Sequence, residues 1–262
     1  MPRELRSYRV NAIVLKHQDY GEADRLLTIY SREYGKLKVM AKGVRKVRSR
    51  KGGHLEPFMS VNILLSKGRS WDIVSQAEAQ EVFPNLRESL EMIGYASYAV
   101  ELVDKFTFEE EENASVYTLL NHTLIRLNRG DDPLLVIRYF EIRLLDVLGF
   151  RPELQNCVVT GAPIQPVNQY FSASLGGVIS PDAGKGLVGV VPVSVNALRY
   201  MRHFQRSNYQ DAAKAQISSQ IQQELEVLMQ HYITYVLERG LNTPSFLRRV
   251  RRDNENGKAE VD

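Results

Sequence analysis

Apolar and polar positions alternate in short runs through the first 80 residues, then recur at helical spacing. Residues 8–18 (YRVNAIVLKHQ), 24–31 (DRLLTIYS), 36–42, 59–66 (MSVNILLS) and 71–79 (WDIVSQAEA) are rich in β-branched and apolar side chains. Each run predicts a strand. Tyr20-Gly21-Glu22, Glu33-Tyr34-Gly35 and Lys67-Gly68 supply the turns. Five short strands at this spacing predict a small closed barrel, and the five-stranded OB type is the natural candidate.

From about residue 84 the period changes. Leu86, Leu90, Ile93, Ala96, Tyr98, Val100 and Val103 line one helical face over 86–106. A second helix is predicted over 114–128, stopped by Arg129-Gly130. Asp131-Asp132-Pro133 starts a third over 133–148, with an acid at the cap and Pro at the first helical position. Gly149 caps it and Pro152 follows. The acidic run 109–112 reads as a solvated loop or helix start. Residues 151–191, rich in Gly, Pro, Ser and Val, predict irregular loop with short strands, and 193–206 and 217–239 predict two more helices. The expected class is α+β: an OB-type barrel over 1–81, then a helical domain over 82–250 interrupted by 151–191, and a disordered tail over 251–262.

Charge changes this picture. Residues 1–80 hold 16 Lys or Arg against 8 Asp or Glu, net +8; the rest carries net −5. Between Glu33 and Glu56 there is no acid, and eight bases: Lys36, Lys38, Lys42, Arg45, Lys46, Arg48, Arg50 and Lys51. Such a run repels itself unless a polyanion neutralises it, and each base placed on a phosphate releases a counterion. These eight, with Arg69, are the candidate DNA-binding residues. The competing reading is a solvated basic loop with no partner. Tyr8, Tyr20, Tyr30, Tyr34 and Trp71 are available to stack on bases, against core or turn roles for each.

Other chemistry is sparse. The chain has no GxxxxGK[ST] phosphate loop, no HExxH and no GxSxG. His17, His54, His122, His203 and His231 are scattered, and no His/Cys pair stands at metal spacing. Glu22 and Asp24 lie close, but a turn and strand start explain them without a catalytic dyad. No nucleophile or general acid/base pair is nominated, so no enzyme, cofactor or small-molecule substrate is expected. No run is apolar for long enough to cross a bilayer, and MPRELRSYRV lacks the apolar core of a signal peptide. The single Cys157 cannot form an intramolecular disulfide. A reducing cytoplasm is the simplest compartment.

Four segments, in order, carry a family pattern: a Gly-acid-x-Asp turn at 21–24, G-x-L at 35–37, A-K-G-x-R-[KR] at 41–46 and L-E-P-[FL] at 55–58. A further block runs from Ile137 to Pro152, with Arg138, Phe140, Glu141, Leu144, Leu145, Leu148, Gly149 and Phe150. Over most of its length the chain resembles the RecO family of bacterial DNA-repair proteins. The resemblance implies a recombination mediator that binds single- and double-stranded DNA and anneals complementary strands. It implies contact with RecR and with the acidic tail of single-stranded DNA-binding protein (SSB), and help in loading RecA. It also implies a bacterial, nucleoid-associated location. Two rival readings use the same bases: a scaffold for acidic protein tails, and an RNA-binding OB protein.

The resemblance also exposes a departure. Many members carry a zinc site of four Cys after the third helix. Here the frame survives, but Cys157 alone remains; Thr160, Ser180 and Ala183 hold the other ligand positions. One thiol cannot close a zinc site, so a degenerate, metal-free loop is expected. An acidic tail needs an apolar pocket rimmed by bases. Arg126, Arg138 and Arg143, among Leu124, Leu127, Tyr139, Phe140 and Leu144, are one candidate, with an ordinary Arg138–Glu141 pair as the competing reading. The segment 248–252 is another.

Overall fold

The computed structural model describes residues 6–238 and 240–259. The strands are β1 (Ser7–Tyr20), β2 (Asp24–Ser31), β3 (Gly35–Ala41), β4 (Ser60–Ser66), β5 (Asp72–Glu81), β6 (Gln169–Ser172), β7 (Gly177–Ile179) and β8 (Val190–Val193). The helices are α1 (Leu90–Phe106), α2 (Ala114–Arg129), α3 (Pro133–Val147), α4 (Pro181–Gly184), α5 (Val195–Arg206), α6 (Tyr209–Ala212), α7 (Ser219–Leu237) and α8 (Thr243–Ala259). They form two compact units: the described residues up to Asp131 with those from Thr243 onward, and Asp132–Asn242. The change of period near residue 82 falls inside the first unit.

In the first unit, β1-β2-β3-β5-β4 close into a barrel. All pairings are antiparallel except β3 with β5, where Val39 faces Asp72 and Met40 faces Ile73. Alternation fills the interior: Val10, Ala12 and Val14 from β1, Leu27 and Ile29 from β2, Leu37, Val39 and Ala41 from β3, and Val61, Ile63 and Leu65 from β4 are buried. A register shift between Val14 and Lys16 lets the long β1 pair with both β2 and β4. Helix α1 starts at Ser89, whose side chain accepts from Met92 N, and α2 at Asn113, whose side chain accepts from Ser115 and Val116 N.

One segment gains a contact the sequence did not show, and one differs from the sequence reading. The acidic run is an exposed loop, as expected, but its backbone is tied to the barrel. Residues 109–111 run along the start of β3, with a parallel bridge between Lys36 and Glu109 and a bond from Glu110 N to Lys36 O (2.9 Å). The approach is so close that a Cβ on Gly35, itself at φ +64°, would sit 1.8 Å from Glu111 O. One ion pair, Lys38 with Glu109, joins these backbone contacts between strap and basic strand. The segment that differs is the tail. Residues 251–259, expected to be disordered, continue α8. An apolar contact nucleates that helix: Leu247 packs on α1 where Gly94 leaves no Cβ, one there lying 2.5 Å from Leu247 Cδ2. Residues 260–262 lie outside the described residues.

In the second unit α3 begins at Asp132, which accepts from Leu134 and Leu135 N, with Pro133 first in the helix. Tyr139 packs edge-on against Tyr209 (5.3 Å) and Phe204 (6.2 Å). The 151–191 region holds a three-stranded antiparallel sheet, β7-β6-β8. Phe171 packs on Tyr232 (5.3 Å), and the Tyr170 ring lies over Gly184.

Candidate nucleic-acid interface

The connection from β3 to β4 leaves the barrel at the end where β1 turns into β2. The turn residues hold its root. Asp24 Oδ1 accepts from Gly43 N (2.7 Å) and Ala23 O from Arg45 N (2.9 Å). Arg45 Nη1 reaches Gly21 O (3.3 Å), and its Nη2 pairs with Asp19 (3.3 Å). The Gly-acid-x-Asp turn is therefore an anchor for the loop. Val44 is buried beneath it. Bonds from Lys46 N to Gly43 O (3.2 Å) and from Ser49 N to Lys46 O (2.8 Å) wind the loop into tight turns. Where it returns, Gly52 crosses so near that a Cβ there would be 2.9 Å from Val44 O.

The segment 55–58 serves the same scaffold. Leu55 is buried in the barrel. Glu56 accepts from Arg25 Nη1 (2.9 Å) and lies 3.4 Å from His17 Nε2. Burial pushes the Glu56 carboxyl up, but Arg25 and His17 outweigh it and hold the group below the usual carboxylate range.

The nine candidate bases divide. Lys36 is turned inward, its side chain 12 % exposed, donating to Asp104 O (2.6 Å) and Thr107 O (2.5 Å) and facing the Asp104 carboxylate. Burial lowers its ammonium below the ordinary lysine range, opposed by Asp104. Lys38 pairs with Glu109 (2.5 Å). Lys51 donates to Val74 O (2.9 Å), and its pKa is lowered by burial. Lys36 and Lys51 are turned into the fold, and Lys38 is paired at the surface. Asp104 at the end of α1 faces Lys36, Glu109 of the strap pairs with Lys38, and a β5 carbonyl accepts from Lys51. Arg45 shares its guanidinium between loop and turn. Lys42, Lys46, Arg48, Arg50 and Arg69 are exposed and have no side-chain partner among the described residues.

At the same end lies a pair that sequence spacing did not single out. Tyr20 closes β1, Trp71 precedes β5, and their rings meet edge-to-face at 5.7 Å. Tyr8 and Tyr34 pair elsewhere (5.1 Å), with the Tyr8 hydroxyl donating to Asp72. Tyr30 is buried.

In the second unit two of the tail-pocket candidates have partners within the fold. Arg138 is buried, its Nη1 2.9 Å from Glu141 Oε2, an ion-pair distance whose N–H is not aimed at the oxygen. Arg143 donates to Gln205 O (2.8 Å) and pairs with Asp146 (3.3 Å). Both are occupied within the unit, since i,i+3 carboxylates on α3 reach them first. Arg126 is on α2, in the other unit.

The segment around Cys157, expected from the resemblance to be a degenerate zinc loop, folds as a hydrogen-bonded cluster. Cys157 is buried, and its Sγ accepts from Ser180 N (3.3 Å) and Ser180 Oγ (3.5 Å). Burial opposes ionisation of the thiol, but bonds from the Thr160 and Ser180 hydroxyls and from the Ser180 N–H bring its pKa down to about 6. Thr160 and Ser180 thus both donate to Cys157. This donor set does not fit zinc, which needs four ligands in a closed structural site. Among the described residues no three His, Cys, Asp or Glu gather as a metal site, and no helix is long and apolar enough to cross a membrane.

Comparison with known families decides what this scaffold is. The model described as "Recombination protein O N terminal" matches residues 5–83, and "Recombination protein O C terminal" matches 87–244. The chain belongs to the RecO family. It is 38 % identical to DNA repair protein RecO of Roseiflexus sp. (strain RS-1), over 94 % of this chain and 87 % of that one. It is 39 % identical to the protein of that name from Pelotomaculum thermopropionicum, over 94 % and 95 %. The protein of that name from Desulforamulus reducens is 34 % identical over 95 % and 97 %. Membership in RecO supports a role in DNA repair and recombination. It also accounts for the paired architecture, an OB-like barrel followed by helices.

Proposed function

We propose that this RecO chain is a DNA-binding recombination mediator that holds single and double strands by their phosphates and brings complementary strands together. The observation that carries the reading is an anchored loop whose outer bases, Lys42, Lys46, Arg48 and Arg50, have no carboxylate partner among the described residues, in a chain that pairs its neighbouring strand bases. Such bases meet phosphates and not base edges, because annealing must ignore sequence. Neutralising two backbones at once lowers the repulsion that keeps strands apart. No covalent step belongs to this reading. RecR, RecA loading and the SSB tail enter it as what the family implies. For the tail, exposed Arg249 and Arg252 on α8 are available where Arg138 and Arg143 are not.

The test is a titration of full-length protein against labelled single-stranded DNA, duplex DNA, RNA and an acidic peptide, with parent and an Arg45, Lys46, Arg48, Arg50→Ala variant. The reading expects both DNAs to bind and the variant to lose affinity for all DNA sequences alike. Binding to the acidic peptide alone, or to RNA in preference to DNA, would replace it with a scaffold or an RNA-binding function.

A further inference from the structure

The aromatic pair at the root of the basic loop has no structural task that explains its exposure. Tyr20 is 50 % exposed and Trp71 is partly exposed. Neither the Tyr20 hydroxyl nor the Trp71 indole N–H has a hydrogen-bond partner among the described residues. Scattered exposed aromatics are ordinary; this pair is different in how it is held and in what surrounds it.

The backbone beside each ring is fixed. Tyr20 faces Asp24 across the β1–β2 hairpin, and Asp24 holds Gly43. Trp71 follows a turn that only glycine can make, since a Cβ on Gly68 would lie 1.9 Å from Trp71 O. Asp72 then locks the turn, accepting from Gly68 N (3.1 Å), Lys67 Nζ (3.2 Å) and the Tyr8 hydroxyl. Rings held in place before binding lose little freedom when a ligand covers them. The edge-to-face contact uses the rim of one ring and one face of the other, and leaves each ring a further face for another π-system. Positive charge flanks both rings: Arg45 bonds to Gly21 O, next to Tyr20, and Arg69 precedes Trp71 by two residues.

We propose that Tyr20 and Trp71 form a stacking platform for an unpaired nucleotide base of a single strand whose phosphates lie on the 42–50 loop. The inference rests on the DNA-binding reading and deepens it. Stacking accepts any base, because each has a π-face, so it suits a protein that binds without regard to sequence. It also discriminates by strandedness. In a duplex the bases are stacked on each other and the platform gains nothing; in a single strand they are free. The loop then supplies charge for both forms of DNA, and the platform supplies the preference for unpaired DNA.

Trp71 is the only tryptophan in the chain, so its fluorescence reports on this one site. The experiment titrates full-length protein with a labelled thymidine oligonucleotide and with a labelled duplex, reading DNA anisotropy and tryptophan emission together. Emission should be quenched in step with single-strand anisotropy and change little with duplex. Tyr20→Ala and Trp71→Ala should each weaken single-strand binding by about five-fold or more and leave duplex binding within about two-fold, while Trp71→Phe, which keeps a ring, should recover most of the loss. Anisotropy that rises with unchanged emission, or variants that bind the single strand like the parent, would overturn the platform while leaving the phosphate-binding loop standing. Failure of both DNAs to raise anisotropy would overturn the loop and the platform together.

Discussion

The basic segment from Lys36 to Lys51 is continuous in sequence and divided in structure. Its strand half faces Asp104, Thr107 and Glu109, and the strap that brings Glu109 there lies alongside β3. Its loop half is pinned at the root by Asp24 and Ala23, then left with bare bases at the rim. The same residue types therefore do opposite work. Lys36 ties the barrel to the end of α1, whereas Lys46, Arg48 and Arg50 have only solvent to neutralise them. A run of positive charge indicates a polyanion only where the fold has not already supplied the anion.

This contrast sets the expected effects of substitution. The largest belongs to Lys36→Ala, which strips three acceptors of a largely buried partner. It should cost on the order of 3 kcal/mol of stability in denaturant unfolding, with DNA affinity of the folded protein little changed. A loss of DNA affinity without a loss of stability would erase the distinction between strand and loop. Next is Asp24→Ala, which removes the acceptor for Gly43 N and should cost about 1–2 kcal/mol. It should also loosen the loop root, seen as faster amide exchange at Gly43. The smallest is Lys38→Ala. Its pair with Glu109 is exposed on both sides, and surface pairs are worth at most about 1 kcal/mol.

Much of this was legible in the sequence. Period-2 runs and Gly turns gave the barrel, the Asp132-Pro133 signal gave the start of α3, and the family segments could be read in order. What was not legible depends on contacts distant in sequence. The pairing of the acidic run 109–112 with β3 has no local signal, although a second charge block of opposite sign is a reason to look for one. Arg138 and Arg143 looked like a pocket rim because helical spacing shows neighbours on α3 but not burial against Gln205 and the rest of its unit. Tyr20 and Trp71 are 51 residues apart and meet only because β3 and β5 run parallel at one end of the barrel. Around Cys157 the structure adds what the sequence could not show: hydroxyl and amide donors on a buried thiol. Elemental analysis should accordingly find no stoichiometric zinc, and Thr160→Val should raise the pKa at which Cys157 thiolate absorbance appears.

The central claim is that the loop, not the strand, carries the phosphate contacts. Its most direct measurement is the slope of log affinity for single-stranded DNA against log salt, compared between an Arg45, Lys46, Arg48, Arg50→Ala variant and Lys38→Ala. Each lost single-strand phosphate contact should flatten the slope by about 0.7. The loop variant should therefore lose several such steps, while Lys38→Ala keeps the parent slope. A loop variant with the parent slope, or a Lys38→Ala protein with a flattened one, would contradict the account.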